Sequence, residues 1–387
     1  MTTHARYLEP LDVLFLRGNK LFGDPGSYGE SLVPPWPSVA AGALRSRILV
    51  DDRIDLDAFA RGEVDHPALG TPAVPGAFTV AVFQIARRRA DGRVEMLIAP
   101  PADMVIHEAD GGATSVSMLA PTNISPNDMS ESGTLQCSAP LEMLPVLAET
   151  GRSKPAGGFW LTESGWKSYL AGKAPGANQL LGADALWKLD HRVGVGLDNA
   201  TGRASDGRLF SVQAVAFEAG IGFIATITGA EPPRSGTLRL GGDGRAAAVR
   251  AVDWVMPEAD YDAILRAKRC RLVLSAPGIF AQGWLPTGVT RTADGAYRLD
   301  LHGVRARLVC AAVPRAEVVS GWDLALRRPK PALRTVPVGS VYWLDDLEAT
   351  PETLRKLVSA GLWREPCQDD DASRRAEGFN RAVFAVY

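Results

Sequence analysis

The spacing of apolar and polar residues at the start of the chain predicts a strand followed by a helix. Residues 11–16 are apolar on both faces except at Asp12, which predicts an opening strand. A glycine-rich stretch follows over residues 23–29. Prolines then prevent a helix before Ser38, which we expect to cap a helix over residues 39–50. A strand, a loop and a helix in this order are typical of a unit in which strands and helices alternate.

The middle of the chain gives weaker signals. Residues 78–83 read as a strand, and the Asp91-Gly92 pair that follows predicts a hairpin turn. Residues 100–185 are rich in Pro, Gly, Ser and Ala but show no sustained periodicity. We therefore interpret this region as long loops and insertions.

Regular patterns return in the second half. Residues 209–217 and 221–227 read as two strands that pair with each other, and residues 238–245 contain an Asp-Gly turn in a glycine-rich loop. Residues 261–267 predict a helix, and residues 271–275 predict the strand after it.

The last predicted helix has well-formed ends. Thr350 is suited to cap it, Pro351 to occupy its first position and Glu352 to its first turn, while Gly361 ends it. Strands and helices thus occur in both halves, which predicts the α+β class. Because 387 residues exceed one ordinary core, we expect two domains, over residues 1–255, with an insertion at about 60–190, and over residues 256–387.

Composition limits the possible classes of protein. Apolar residues make up 46% of the chain and charged residues 22%, as in folded globular proteins. No apolar stretch approaches the length of a membrane span, and the N-terminus lacks the pattern of a secretory signal, so we expect a cytoplasmic protein without a membrane segment. The 4 cysteines and 5 histidines are dispersed, so we expect no metal and no cofactor.

The charge distribution leaves two interpretations open. The formal net charge is −2, which does not favour a simple nucleic-acid binder. Positive charge is nevertheless clustered, and binding depends on local charge rather than on the sum. Each cluster is either a solvated face or part of a basic surface. The clusters consist of Arg266, Lys268, Arg269 and Arg271, and of Arg327, Arg328, Lys330 and Arg334.

Motifs of known catalytic sites are missing from the sequence. It contains no phosphate loop, no complete dinucleotide fingerprint and no nucleophile elbow. His191 beside Arg192 is a candidate general acid–base pair for RNA cleavage, although a lone histidine in a loop is more often structural.

Several glycine-rich loops carry an arginine. Glycine lets a backbone approach phosphates, and arginine donates two hydrogen bonds to phosphate oxygens. One such loop alone is more typical of a hairpin turn, but several together favour contacts with a nucleic-acid backbone. Aromatic residues can also stack on unpaired bases, although most of them are expected to pack in the core or against turns. The aromatic candidates are Tyr28, Trp36, Trp284, Trp322 and Tyr342.

Five segments, taken in order, resemble one family. They are residues 10–17 with 34–45, residues 192–203, residues 240–245, residues 274–286, and residues 320–342. The chain resembles the third subunit of type III-B (Cmr) CRISPR effector complexes, which belongs to the RAMP superfamily of CRISPR RNA-binding proteins. The most specific segment contains Ser320-Gly321-Trp322-Asp323.

The resemblance implies a fold, a function and partners. The fold is two ferredoxin-like (RRM-type) domains with long loop and hairpin insertions. The function is a non-catalytic role in antiviral defence, in which the subunit binds and positions the 5′ repeat-derived tag of the CRISPR RNA (crRNA). The protein partners are the large polymerase/cyclase subunit and the backbone RAMP subunit. The usual glycine-rich loop near the C-terminus is reduced here to one glycine, Gly378.

The resemblance also implies the residues that contact RNA. They lie in glycine-rich turns, at the start of the first helix and in basic segments. They are Arg17, Asn19, Lys20, Ser38, Arg45, Arg192, Gly194, Arg203, Gly241, Gly242, Arg245, Lys330, Arg334, Gly339 and Ser340.

Two alternatives remain open at this stage. One is an RNA-processing endonuclease of the same superfamily, with His4 or His191 as the acid–base residue. Such an enzyme has the same fold, so the fold alone does not decide between them. The other is a scaffold that binds only protein neighbours, with its basic clusters solvated.

Overall fold

The chain folds into a mixed α+β structure with many strands and few helices. The structure, a computed structural model, describes residues 2–18, 28–108, 114–123, 140–149, 154–198, 200–323, 328–367 and 369–387. The helices are α1 (Pro37–Asp51), α2 (Leu56–Ala60), α3 (Glu163–Leu170), α4 (Tyr261–Ala267), α5 (Pro351–Ala360) and α6 (Asp369–Glu377). In the part of the chain described, no helix has the length and apolarity needed to cross a membrane.

The strands of the first half include the first large sheet and several short insertions. They are β1 (Thr3–Pro10), β2 (Tyr28–Gly29), β3 (Thr79–Arg88), β4 (Val94–Leu97), β5 (Met104–Glu108), β6 (Thr114–Met118), β7 (Ala120–Asn123), β8 (Met143–Val146), β9 (Phe159–Leu161), β10 (Leu180–Gly182), β11 (Trp187–Leu197), β12 (Ala204–Phe217), β13 (Ile221–Thr228), β14 (Ser235–Arg239) and β15 (Ala246–Ala251).

The strands of the second half form a second large sheet and one smaller projection. They are β16 (Cys270–Leu274), β17 (Val289–Arg291), β18 (Tyr297–Leu301), β19 (Val304–Ala312), β20 (Glu317–Val319), β21 (Trp322–Asp323), β22 (Arg328–Pro329), β23 (Leu333–Thr335), β24 (Val341–Glu348) and β25 (Ala382–Ala385).

The first sheet has the order β14-β15-β1-β13-β3-β4. Its central strands are apolar on both faces, because successive side chains of a strand point to opposite sides. On β13, Phe223 belongs to the core that contains Leu44 and Ile48 of α1. The next residue, Ile224, belongs to a different core. The sheet is therefore buried both under α1 and on its other face.

The second sheet has the order β17-β18-β19-β24-β16-β25. One face packs against Ile264 of α4 and Leu354 of α5. Its other face contributes Val309 and Trp343 to the core that also contains Ile224 of the first sheet. Burying a large apolar side chain contributes about 1.5–3 kcal/mol. The two sheets are therefore held together by a shared apolar interior.

Several sequence predictions are confirmed. The hairpin around Asp91-Gly92 joins β3 and β4, and Gly92 has the positive φ of +82° that this turn requires. Helix α4 has the predicted bounds. Helix α5 is capped by the Thr350 side chain and ends at Gly361.

Two strand predictions are wrong. The opening strand is β1, whereas residues 11–16 make no continuous ladder and Leu14 forms only an isolated bridge with Val215. Strands β12 and β13 do not pair with each other: β12 pairs with β11, and β13 lies between β1 and β3. An apolar pattern shows that a strand is buried, but it does not specify which strand lies beside it.

Two further expectations need correction. Helix α1 begins at Pro37, so its N-cap is Trp36 rather than Ser38, and no side chain caps it. The region 100–185, expected to consist of loops, contains helix α3 and several short strands. Thr162 caps α3, whose Trp166 and Tyr169 are fully buried, so tertiary packing stabilises a helix too short to be predicted from periodicity.

Candidate nucleic-acid interface

Two segments far apart in sequence meet beyond the end of β1, and we call them together the turn site (residues 12–17 and 240–245). The backbone N–H of Gly242 donates to the carbonyl of Phe15 at 2.8 Å. Gly241 has φ of +78°, and a Cβ there would lie 2.8 Å from the same carbonyl oxygen. Glycine is therefore required at Gly241 for the two segments to approach each other.

The turn site holds two arginines, each beside an aspartate. The guanidinium of Arg17 lies 3.2 Å from the Asp243 carboxylate. Arg245 pairs with Asp12, and its guanidinium lies 5.2 Å from the centre of the Phe15 ring. Both pairs are partly exposed, and pairs of this kind contribute about 0–1 kcal/mol. Phosphate oxygens can therefore compete for these arginines.

The β11–β12 hairpin lies beside the turn site. Val212 and Ala214 of β12 form a small core with Phe15. Gly194 of β11 lies opposite Phe210, and a Cβ at Gly194 would lie 2.4 Å from that ring. The glycine makes room for Phe210, which packs against the same small core.

The hairpin also carries two of the predicted RNA-contacting arginines. Arg192 pairs with Asp190 at 2.8 Å. Arg203 is exposed, and its carbonyl accepts from the Asp198 N–H at 2.8 Å in the turn that joins the two strands. Arg192, Gly194 and Arg203 therefore extend the surface that begins at the turn site.

The predicted residues of α1 lie elsewhere. Ser38 is half-buried in the first turn. The Arg45 guanidinium lies 5.0 Å from the centre of the Phe78 ring, and two of its nitrogens are buried without a hydrogen-bond partner. Burial lowers the pKa of Arg45, and the attraction of Glu377 in α6 opposes that shift. Arg45 thus belongs to the contact between α1 and α6.

The last predicted segment is divided between the interior and the surface. Ser340 is fully buried and its hydroxyl donates to the Pro337 carbonyl at 2.8 Å. Gly339, also buried, accepts from the Ala102 N–H at 2.8 Å. Both residues therefore lie inside the fold, in the turn before β24. Arg334 is exposed on β23.

Lys330 takes part in an ion-pair network. Its ammonium lies 2.8 Å from Glu377, which also pairs with Arg374 at 3.0 Å. The predicted contacts Asn19 and Lys20 lie outside the described residues, as do most of the stretch 23–29 and Arg327 of the second basic cluster.

The structure separates the aromatic candidates. Trp36 and Tyr342 are buried, and Trp284 is half-buried. Tyr28 is 45% exposed and Trp322 is 55% exposed. Stacking on a base is therefore available to Tyr28 and Trp322.

The two histidine candidates, His191 and His4, lie on different strands and have different neighbours. His191 lies 3.2 Å from the Tyr28 hydroxyl through Nδ1, and its ring stacks on that of Tyr28. His4 lies on β1 opposite Ile227. Within the described ranges, no group of three or more His, Cys, Asp or Glu side chains is placed to hold a metal ion.

One arginine of the first basic cluster is not on the surface. Arg271 donates to the Asp103 carboxylate at 2.7 Å, and its guanidinium lies 4.2 Å from the centre of the Tyr169 ring. The Tyr169 hydroxyl also donates to Asp103, at 2.9 Å. Burial raises the pKa of Tyr169 well above its ordinary value, so the hydroxyl stays a donor.

The local sequence pattern does not predict this buried group. The available signal was an arginine inside β16, a strand whose other residues are all apolar. A charged residue in such a strand needs a buried partner. The sequence analysis also missed Asp12 and Asp243 as partners of the turn-site arginines, because no local pattern relates residues that far apart.

Comparisons with known proteins identify similar families and structures. The sequence pattern of the family "CRISPR-associated protein (Cas_Cmr3)" matches residues 6–386. No curated protein sequence matches the chain.

Two structurally similar chains come from cryo-EM structures of the type III-B Cmr-beta complex. The one bound to cognate target RNA has 12% identity and a TM-score of 0.47, with 98% of this chain and 96% of that chain covered. The one bound to cognate target RNA and AMPPnP, in state 1, has 13% identity and a TM-score of 0.43, with 88% and 86% covered.

Proposed function

Because the chain belongs to the Cas_Cmr3 family, that of the third subunit of type III-B (Cmr) CRISPR effector complexes, we propose that it binds and positions the 5′ repeat-derived tag of the crRNA. We also propose that it links the large polymerase/cyclase subunit to the backbone RAMP subunit. It acts without catalysing a reaction. Its place of action is the cytoplasm, where the complex serves antiviral defence.

One observation carries the RNA-binding proposal. Residues 12–17, the β11–β12 hairpin and the turn 240–245 are far apart in sequence, yet they converge around Phe15. The surface they form carries Arg17 and Arg245 next to Gly241, whose backbone lies close to Phe15. Arginine with accessible backbone is a common arrangement for phosphate contacts.

We also propose that the two halves are ferredoxin-like domains, and the strand order supports this. In the first sheet, the strands β3, β13, β1 and β15 are neighbours in that order and antiparallel. In the second sheet, the strands β19, β24, β16 and β25 are likewise neighbours in that order and antiparallel. Numbered along the chain within each half, both orders are 2-3-1-4, the order of the split βαβ fold.

The experiment measures RNA binding by the chain assembled with its partner subunits. Guide RNA with and without the 5′ tag is titrated over a salt series. We expect tagged RNA to bind more tightly, and we expect Arg17→Ala with Arg245→Ala to reduce that preference. Each lost phosphate contact also lowers the salt slope for single-stranded RNA by about 0.7. The matched control is Arg305→Ala, an exposed arginine of β19 paired with Glu348.

The outcomes separate the three candidate functions. Equal binding of tagged and tagless RNA would contradict the tag-binding role and leave a protein-binding scaffold. Metal-independent cleavage of repeat RNA that is lost in His4→Ala or His191→Ala would instead show an endonuclease. A loss in the Arg305→Ala control equal to that in the double variant would mean that charge, not the turn site, determines affinity.

A further inference from the structure

A short segment of paired strands lies in the second half of the chain, and we call it the arm. It consists of residues 317–323 and 328–335. Strand β20 pairs with β23 and strand β21 pairs with β22. Its register places Trp322 opposite Pro329 and Val318 opposite Arg334. The arm is therefore a two-stranded ribbon that begins next to the shared body of the protein.

Trp322 is the feature of the arm that needs explaining. Its side chain is 55% exposed, whereas Trp166 and Trp343 are fully buried. An indole ring offers a large apolar face, and exposing it to water forfeits the free energy that burial would provide. Trp322 is also next to Gly321, whose φ of +144° favours glycine. The backbone beside Trp322 thus has a conformation that residues other than glycine rarely adopt.

Two exposed arginines and one aspartate lie near Trp322. Arg328 lies opposite Asp323, the neighbour of Trp322, and one register step from Pro329, the partner of Trp322. Arg334 lies on the same strand pair as Val318, four residues or about 13 Å along the ribbon. Both arginines are exposed, and in the part of the chain that is described neither forms an ion pair. They differ in this respect from Arg17 and Arg245 of the turn site, which have aspartate partners.

The base of the arm is fixed to α6 by a closed set of polar contacts. The Ser320 hydroxyl donates to the Lys330 carbonyl at 2.8 Å, and the Lys330 ammonium reaches Glu377 at 2.8 Å. Arg374 of α6 pairs with the same carboxylate at 3.0 Å and donates back to the Ser320 carbonyl. Glu377 and Arg374 are both buried. The arm is therefore preorganised, which lowers the entropy cost of binding through it.

From these features we propose that Trp322 stacks on an unpaired base of the guide RNA, while Arg328 and Arg334 contact nearby phosphates. This inference rests on the proposed RNA-binding function and adds a second site to it, separate from the turn site. A flat aromatic face beside unpaired arginines is the usual arrangement for binding single strands. The exposed Arg328 and Arg334 near Trp322 favour a ligand that carries phosphates.

The test compares variants of the chain assembled with its partner subunits, after the composition of each complex has been verified by native mass spectrometry. The RNA is tagged guide RNA, either free or annealed over its whole length to a complementary strand. Trp322→Ala is expected to weaken binding of free RNA by about 5- to 150-fold, the range for loss of one stacked base. Binding of the duplex should change much less. Trp322→Phe keeps a ring and should recover most of the affinity.

Val318→Ala is the matched control, because it removes exposed apolar surface from the same arm without removing a ring. It should leave RNA affinity unchanged. Arg328→Ala and Arg334→Ala should each lower the salt slope by about 0.7. The Trp322→Ala variant should keep the wild-type slope, since stacking involves no phosphate.

The results distinguish this inference from the function on which it rests. Wild-type protein that binds tagged and tagless RNA equally contradicts the tag-binding role, whatever Trp322→Ala does. Trp322→Ala that binds free RNA like the wild type overturns the stacking site, even if the tag matters. Unchanged RNA affinity with weaker subunit assembly would overturn it in favour of a protein contact at Trp322.

Discussion

Arg271 and Arg245 have the same kinds of neighbour but different environments. Each pairs with an aspartate and lies over an aromatic ring, Tyr169 for Arg271 and Phe15 for Arg245. The side chains of Arg271 and Asp103 are 4% and 0% exposed. Those of Arg245 and Asp12 are 28% and 57% exposed. The comparison shows that the types of neighbouring side chain do not tell whether an arginine is buried in the fold or exposed to solvent.

The two ion pairs differ in how much stability is lost when one charged partner is removed. A buried charge that loses its partner has no water to replace it. An exposed charge is solvated and screened, so its partner can be exchanged for a phosphate at little cost. Arg271 joins β16 to Asp103 and to α3, so its pair also fixes the second sheet to the first half.

The largest expected effect tests the buried side of this comparison. Asp103→Ala leaves the Arg271 guanidinium buried without its carboxylate, so we expect the free energy of unfolding to fall by about 3–5 kcal/mol. Denaturant unfolding measures it. The double variant Asp103→Leu with Arg271→Met removes both charges and should recover most of the stability. A loss below 1 kcal/mol in Asp103→Ala would show that the pair is not buried as described.

Gly241→Ala tests the backbone of the turn site. The positive φ of +78° and the Phe15 carbonyl 2.8 Å from the added Cβ should together cost about 1–2 kcal/mol or more. Gly244→Ala is the matched control, since it has φ of +66° in the same turn but nothing within 4 Å of a Cβ. Thermal unfolding should rank Gly241→Ala as the less stable variant. Equal losses would mean that only φ matters, not the approach of the two segments.

Arg245→Ala tests the exposed side directly. Because its pair with Asp12 is partly solvated, we expect the free energy of unfolding to fall by no more than about 1 kcal/mol. RNA affinity of the assembled complex should fall in the same variant, with a smaller salt slope. A stability loss as large as that of Asp103→Ala would remove the distinction between the two arginines.

The smallest expected effect sharpens the role of the acidic partners. Asp243→Asn removes the negative charge 3.2 Å from Arg17, so phosphate no longer competes with it. We expect RNA affinity to rise a few-fold at low salt and stability to change by less than about 0.5 kcal/mol. Asp294→Asn, an exposed aspartate paired with Arg298, is the control and should leave affinity unchanged. Lower affinity in Asp243→Asn would show that the carboxylate supports the site.

Local signals gave the elements that depend on near neighbours. The cap at Thr350, the positive-φ turn at Gly92 and the hairpin turn before Arg245 each follow from a few adjacent residues. The pairing of β12 with β11 rather than β13 does not follow from adjacent residues, because an apolar strand pattern fits any neighbouring strand of suitable pattern. Helix α3 was missed for a similar reason, since its stability comes from burying Trp166 and Tyr169.

The order of residues alone is enough to predict the α+β class, several turns and caps, and the family, which five segments in order indicate. It also placed arginines beside glycines, which is a local property. Only the tertiary structure decided that Arg17 and Arg245 share a surface around Phe15, that Arg271 and Ser340 are buried, and that Trp322 is exposed. Burial and ion pairing depend on contacts between residues hundreds of positions apart, and no local pattern of side chains contains that information.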